Sequence, residues 1–156
     1  MAPLIILIVC FGITFIINKF LLKDRLSLSF IGRLSLAIML IFTGIGHFAK
    51  TDLMIEMMPE IIPFKKETVY FTGFIEIMAS IGLLTQKFAK LTCIMLILFF
   101  LAILPANIIG SIKEVELGGM EKGVNYLYFR IPLQILFIVW AYYFGIKKIK
   151  LRPTKS

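Results

Sequence analysis

Five runs of apolar residues constrain the fold of this chain more than any other feature, because each is close to the length that crosses a membrane. A transmembrane helix needs roughly 20 mostly apolar residues. The chain is 60% hydrophobic, whereas a soluble domain is about 45–50% apolar. Strand alternation is absent, so we predict an all-α, polytopic membrane protein. The predicted spans are Ala2–Leu22, Leu28–Phe48, Val69–Thr85, Leu91–Ile112 and Val124–Ile146.

The charges between the spans alternate in character, which predicts how the chain crosses the membrane. Residues 19–25, residues 87–90 and the tail 147–156 contain one acid in all, whereas residues 49–68 and 113–123 balance bases with acids. Basic connections stay on the cytoplasmic side. We therefore expect an outside N-terminus, a cytoplasmic C-terminus and a basic cytoplasmic tail. Because the bases of this chain, with net charge +8, lie between apolar runs, the expected partner is the lipid bilayer and not nucleic acid.

The segment 51–66 connects two spans on the predicted outer side and has its own apolar spacing. That spacing is typical of a short helix lying on the membrane surface. Met54, Met57 and Met58 are soft ligands of the kind that bind Cu(I). No His or Cys lies near them in the sequence, so we predict no metal site. Cys10 and Cys93 each lie inside an apolar run, and we expect them to pack as small hydrophobic residues.

Strongly polar residues inside the predicted spans fall at one depth, in the half near the outside. At 1.5 Å per residue, Glu76 lies roughly 10 Å below the outer boundary and Gln134 at about the same level. Arg130 precedes Gln134 by one turn, and His47 and Asn107 lie near the outer ends of their spans. Four spans thus bring polar groups to one layer. This convergence predicts a ligand-binding site formed by Glu76, Arg130, His47, Asn107 and Gln134.

Glu76 is the residue that most needs an explanation, because a charge at the centre of a membrane helix costs about 2.5–3.5 kcal/mol. We expect its carboxylate to face the protein interior. Arg130 is the expected partner, since its long side chain reaches down by about one turn. Arg33 lies at the cytoplasmic end of its span, and we expect it to extend towards the lipid headgroups.

Structural roles are the alternative for each of these residues. Glu76 and Arg130 as an ion pair would fix helix register without any ligand. His47 is also explained as an interfacial histidine. Asn107 and Gln134 are of the type that forms hydrogen bonds between membrane helices.

Several short motifs resemble, in their order and spacing, those of the DoxX-like family of small bacterial membrane proteins. The motifs are TGIGHF at 43–48, the prolines at 59 and 63, YFTGFIEIMASIGLL at 70–84, LPANI at 104–108 and RIPLQ at 130–134. The resemblance runs from about Ile31 to Phe144. It implies a four-helix transmembrane bundle over 28–146, preceded by an added helix over 2–22, in the bacterial cytoplasmic (inner) membrane.

Some members of that family are subunits of thiosulfate:quinone oxidoreductase, and others associate with redox or sulfur-handling partners. We therefore expect a membrane subunit of a redox system that binds a quinone-like molecule non-covalently. Phe74, Tyr126, Phe129 and Trp140 are candidates to cover its ring. No catalytic set is predicted, and the chain has neither a redox cysteine pair nor a second histidine for bis-His haem.

The alternative function is non-enzymatic: a helper for a membrane complex, or a carrier of a small solute. A carrier needs access from both sides of the membrane. The predicted inner half contains almost no polar residue that we expect to be buried, which argues against transport.

Overall fold

The computed structural model describes residues 2–148, and this part of the chain is all-helical, with no strand. Five helical stretches within it are long and apolar enough to cross a membrane, which confirms the predicted all-helical class and the predicted number of such stretches. The tail residues from 149 onwards, with most of the predicted basic tail, lie outside the described residues. The α-helices are α1 Ala2–Phe20, α2 Leu28–Ala49, α3 Thr51–Glu56, α4 Lys65–Leu84, α5 Gln86–Ala102, α6 Leu104–Ile112 and α7 Leu127–Tyr142.

Two of the five stretches are not single α-helices. The fourth consists of α5 and α6, which are separated by a break at Ile103. Pro105 follows this break at the start of α6, where its missing N–H is tolerated. The fifth begins with a 3₁₀ helix over Met120–Tyr126 and ends, after α7, with a π-helical turn over Tyr143–Lys147.

Consecutive spans run antiparallel and give the molecule two distinct ends. One end, the long-connection end, carries residues 50–64 and 113–126. The other, the short-connection end, carries residues 21–27 and the single residue Thr85 between α4 and α5. α1 runs parallel to α7, since Leu4 lies beside the first half of α7 and Phe11 packs on Trp140 further along.

Helix α2 is central to the packing because it contacts α1, α4 and the π-helical turn after α7. Its closest approach is to α4, where Gly44 and Gly73 face each other. A Cβ atom on Gly44 would lie 3.0 Å from the carbonyl oxygen of Gly73. Small residues allow membrane helices to approach closely. This contact sets the distance between the polar residues on the two helices.

The long-connection end is closed by a small apolar cluster formed from the two long connections. Its buried members are Met57, Val115, Met120 and Tyr126. Met57 and Met120 both reach Gly110 of α6, where a side chain would collide with them. Within the segment 51–66, Thr51–Glu56 forms α3 and Lys65 begins α4. Two of its methionines, Met57 and Met58, are buried, and Met57 packs in this cluster.

The prediction that Arg33 extends to the lipid headgroups is wrong. Arg33 is only 5% exposed, and its Nη1 donates a hydrogen bond to the carbonyl oxygen of Leu83 at 2.6 Å. Leu83 lies in the last turn of α4, where carbonyl groups have no partner within the helix. Arg33 faces α4 and not the lipid, so it caps this helix end.

The short-connection end holds more buried polar groups than we predicted. Asn18, Ser29, Arg33 and Ser35 are all buried. Asn18 bonds the backbone of Leu26 through both its oxygen and its nitrogen. Cys93 of α5 is also buried, beside Gly145 of the π-helical turn, and both cysteines are free thiols.

Candidate functional site

The five residues predicted to form a site come from four helices and fall into two groups, with Gln134 apart from both. His47 and Glu76 meet across α2 and α4. Asn107 and Arg130 meet across α6 and α7. Gln134, one turn after Arg130, bonds to the backbone of α5.

The first group is an ion pair between helices. Nε2 of His47 lies 3.6 Å from Oε1 of Glu76, and the two side chains are 16% and 6% exposed. Nδ1 of His47 lies 3.1 Å from the carbonyl oxygen of Val69 and 3.1 Å from Oγ1 of Thr72. With a proton on Nδ1 the ring donates to the carbonyl oxygen of Val69, and with the proton on Nε2 instead, Nδ1 accepts from the hydroxyl of Thr72.

This arrangement places Nε2 of His47 opposite the carboxylate of Glu76. The pair therefore brings together, across α2 and α4, two side chains of the types that serve as proton donors and acceptors in proteins.

Thr72 is a member of this group that sequence reasoning missed. Its hydroxyl lies 2.9 Å from the carbonyl oxygen of Val69 and next to Nδ1 of His47. It therefore helps to orient the imidazole ring. The sequence spacing indicates this position, because Thr72 precedes Glu76 by four residues and so lies on the same face of α4.

The predicted pairing of Glu76 with Arg130 is wrong. Nη2 of Arg130 donates a hydrogen bond to Oδ1 of Asn107 at 2.8 Å, and the ion pair of Glu76 is with His47. Arg130 and Glu76 interact only over a longer range. The reason is the direction in which Glu76 points: its Cβ faces Gly44 of α2, whereas Arg130 faces α6.

Gln134 has a structural contact that explains part of its burial. Its Nε2 donates to the carbonyl oxygen of Phe100 at 2.6 Å. Phe100 lies in the last turn of α5, just before the break at Ile103, where carbonyl groups lose their helical partners. Gln134 thus satisfies a polar group that the break in the fourth span releases.

Three buried atoms of the predicted site residues have no hydrogen-bond partner within the described residues. They are Oε2 of Glu76, Nδ2 of Asn107 and Nε of Arg130. Leaving a buried polar group unsatisfied costs on the order of 1–3 kcal/mol, and more for a charged group. One hydrogen-bond acceptor and two donors among these residues are therefore without a protein partner.

A cleft of about 430 Å³ opens at the long-connection end. Tyr126 and Phe129 line it. Tyr126 also interacts with the guanidinium of Arg130, and its hydroxyl donates to the carbonyl oxygen of Gly118 at 2.7 Å. Tyr126 therefore lies between the cleft and the Arg130–Asn107 group.

Residues 36–145 match the model of a family described as a domain of unknown function, DUF8561. The chain belongs to this family. The matched region contains all five predicted site residues and leaves α1 outside. Neither a curated protein nor a solved structure matches the chain. The family description carries no activity, so the resemblance to the DoxX-like family stays a prediction.

Metal ligands are not grouped in the described part of the chain. Residues 2–148 contain no cluster of three or more His, Cys, Asp or Glu side chains that would hold a metal ion.

Proposed function

We propose that this chain is a membrane subunit of a redox system that binds a quinone-like molecule beside Glu76, Asn107 and Arg130. The observation that carries the proposal is that Glu76, Asn107 and Arg130 each keep one buried polar atom without a hydrogen-bond partner, one acceptor and two donors. A quinone has carbonyl oxygens that accept hydrogen bonds, and its reduced form has hydroxyl groups that donate them. The same three atoms serve both forms.

The two residue groups have different roles in this proposal. Nε of Arg130 and Nδ2 of Asn107 donate to a carbonyl oxygen and orient the ring. Oε2 of Glu76 accepts from the hydroxyl of the reduced form. The proton then moves through the Glu76–His47 pair towards the long-connection end, where His47 is still partly exposed.

The membrane setting of the proposal follows the charge pattern and the family resemblance. α2 to α7 form the four-helix bundle, and α1 is the added N-terminal helix. The long-connection end faces the outside of a bacterial cytoplasmic membrane, and the C-terminus faces the cytoplasm. A redox partner protein supplies and removes electrons, because the chemistry found among the described residues includes no electron carrier.

Binding of a short-tailed benzoquinone to the purified protein in lipid nanodiscs tests this function. We expect Glu76→Gln and Arg130→Ala each to weaken binding by about tenfold, since each removes a hydrogen bond to a charged group. Glu67→Gln is the matched control, because Glu67 is an exposed carboxylate in the first turn of the same helix. Equal affinity in the wild type and in both site variants contradicts the proposal.

A carrier for a small weak acid is the second candidate, and one observation favours it. Nε of Arg33, at the short-connection end, is also buried and without a partner. The guanidinium of Arg33 thus lies at one end of the α2–α4 interface, and the His47–Glu76 pair lies towards the other end. A carrier needs access from both sides. Proteoliposomes loaded with a pH dye decide between the functions. Acetate uptake that depends on Arg33 supports the carrier, and uptake equal to that of empty liposomes excludes it.

A further inference from the structure

Two depressions on the surface of the described residues meet at one residue, Phe129. The first is the cleft of about 430 Å³ at the long-connection end. The second is a groove of about 220 Å³ between α1 and α7. Phe129 lines both of them. Pockets for small ligands run to roughly 300–1,000 Å³, so the two depressions together have the size of one elongated site.

The groove is apolar and follows a membrane-spanning helix. Leu4 of α1 forms one wall, and Leu133 and Leu136 of α7 form the other. These residues lie in stretches that are long and apolar enough to cross a membrane. A groove of this kind accommodates a hydrocarbon chain and has no polar side chain for a headgroup except the hydroxyl of Tyr128 at its end.

The cleft differs from the groove because polar side chains line it. Lys122 and Asn125 both lie on its wall, and both are exposed. Among the described residues, no ion pair involves Lys122. An ammonium group and an amide offer hydrogen bonds to a ligand with acceptor oxygens. Tyr126 connects this cleft to Arg130.

We propose that the cleft admits the ring of a tailed quinone, and that its isoprenoid tail lies in the groove between α1 and α7. This inference rests on the proposed function and adds the entry route and the tail site to it. The ligand approaches from the bilayer, keeps its tail beside Leu4 and Leu136, and passes its ring over Phe129 towards Arg130. In this proposal α1, which lies outside the family match, contributes to ligand binding.

A photoreactive quinone tests the position of the tail. The probe is a benzoquinone with a diazirine midway along an isoprenoid tail, in nanodiscs of phosphatidylethanolamine and phosphatidylglycerol. We expect its label on the first turns of α1 and on α7 near Leu136, and we expect an excess of unlabelled tailed quinone to compete it away. A label spread evenly over all lipid-facing helices, or one that is not competed, overturns the proposal.

Two tryptophan variants on α7 give a matched comparison. Leu136→Trp fills the groove, and we expect it to reduce labelling by about tenfold, because an added bulky group displaces a packed apolar chain. Ile135→Trp places the same ring on the exposed face of the same helix and should leave labelling unchanged. Leu4→Trp fills the groove from α1 and replaces Leu136→Trp if that variant does not fold.

The outcomes separate this inference from the proposed function. If wild-type protein binds both a tailed and a tail-free quinone in a manner that depends on Glu76, but the label lies elsewhere, only the groove is wrong. If native mass spectrometry finds a phospholipid in the groove that tailed quinone does not displace, the groove is a lipid site and the inference fails. If no quinone binds, the proposed function fails and the inference fails with it.

Discussion

His47 and Glu76 face each other across α2 and α4, with Nε2 and Oε1 3.6 Å apart. The imidazole is held on its other side by the carbonyl oxygen of Val69 and the hydroxyl of Thr72. Both contacts come from α4, the helix that carries Glu76. About two turns of α4, from Val69 to Glu76, therefore contain the partner of His47 and the groups that orient its ring.

We predict that His47→Ala destabilises the protein more than His47→Ala combined with Glu76→Gln. The single change leaves a buried carboxylate without its partner, which costs on the order of 1–3 kcal/mol or more. The second change removes the charge and with it most of that cost. Thermal unfolding in detergent measures both variants. A double variant less stable than the single one contradicts the ion pair.

Close approach of α2 and α4 gives a second prediction, on Gly73→Ala. The new Cβ would lie 2.7 Å from Cβ of His47 and 3.1 Å from the carbonyl oxygen of Gly44. The helices must move apart, at a cost of about 1–3 kcal/mol. We also expect the His47–Glu76 pair to separate, and with it any quinone affinity that depends on Glu76.

Gly12→Ala is the matched control for this change, because a Cβ at Gly12 of α1 meets no atom within 4 Å. We expect it to leave stability unchanged or to raise it by about 0.5–1 kcal/mol, since alanine is the better helix former. Equal losses for Gly12→Ala and Gly73→Ala would show that the α2–α4 contact is not tight.

The all-helical class and the five long apolar helices could be predicted from the sequence, but the contacts between the polar residues could not. Apolar run length and the rise per residue place Glu76 and Arg130 in one layer. They say nothing about which neighbouring helix each side chain faces. Glu76 faces α2 because Gly44 and Gly73 allow the backbones of α2 and α4 to approach each other closely. This close contact is the reason that Glu76 pairs with His47.

Arg33 shows the same limit at the other end of α2. Its position near a span end is equally compatible with the lipid headgroups and with a neighbouring helix. The carbonyl groups in the last turn of α4 favour the second, because they have no partner of their own. Which helix ends beside Arg33 depends on the packing of α2 against α4, and hydropathy carries no information on that.

We predict that Arg33→Ala lowers stability by about 1.5–3 kcal/mol, the range for a hydrogen bond to a charged group. Arg33→Lys should recover less than half of this loss, since a single ammonium does not reproduce the planar guanidinium that reaches the carbonyl of Leu83. Arg25→Ala is the control, because Arg25 is exposed in the connection before α2. Full recovery by lysine would indicate a side chain that extends to the headgroups instead.

The orientation of the molecule decides which side supplies protons to His47, and cysteine labelling tests it. Lys113 and Lys87 are exposed, and they lie at opposite ends of the helices, Lys113 directly after α6 and Lys87 in the first turn of α5. With Cys10 replaced by Ser, the remaining Cys93 is fully buried and should not react in the folded protein. We expect Lys113→Cys to react with a membrane-impermeant maleimide in intact spheroplasts, and Lys87→Cys to react only after the membrane is permeabilised. The reverse result would place His47 and Glu76 in the cytoplasmic half, so that protons released from a bound quinol would return to the cytoplasm.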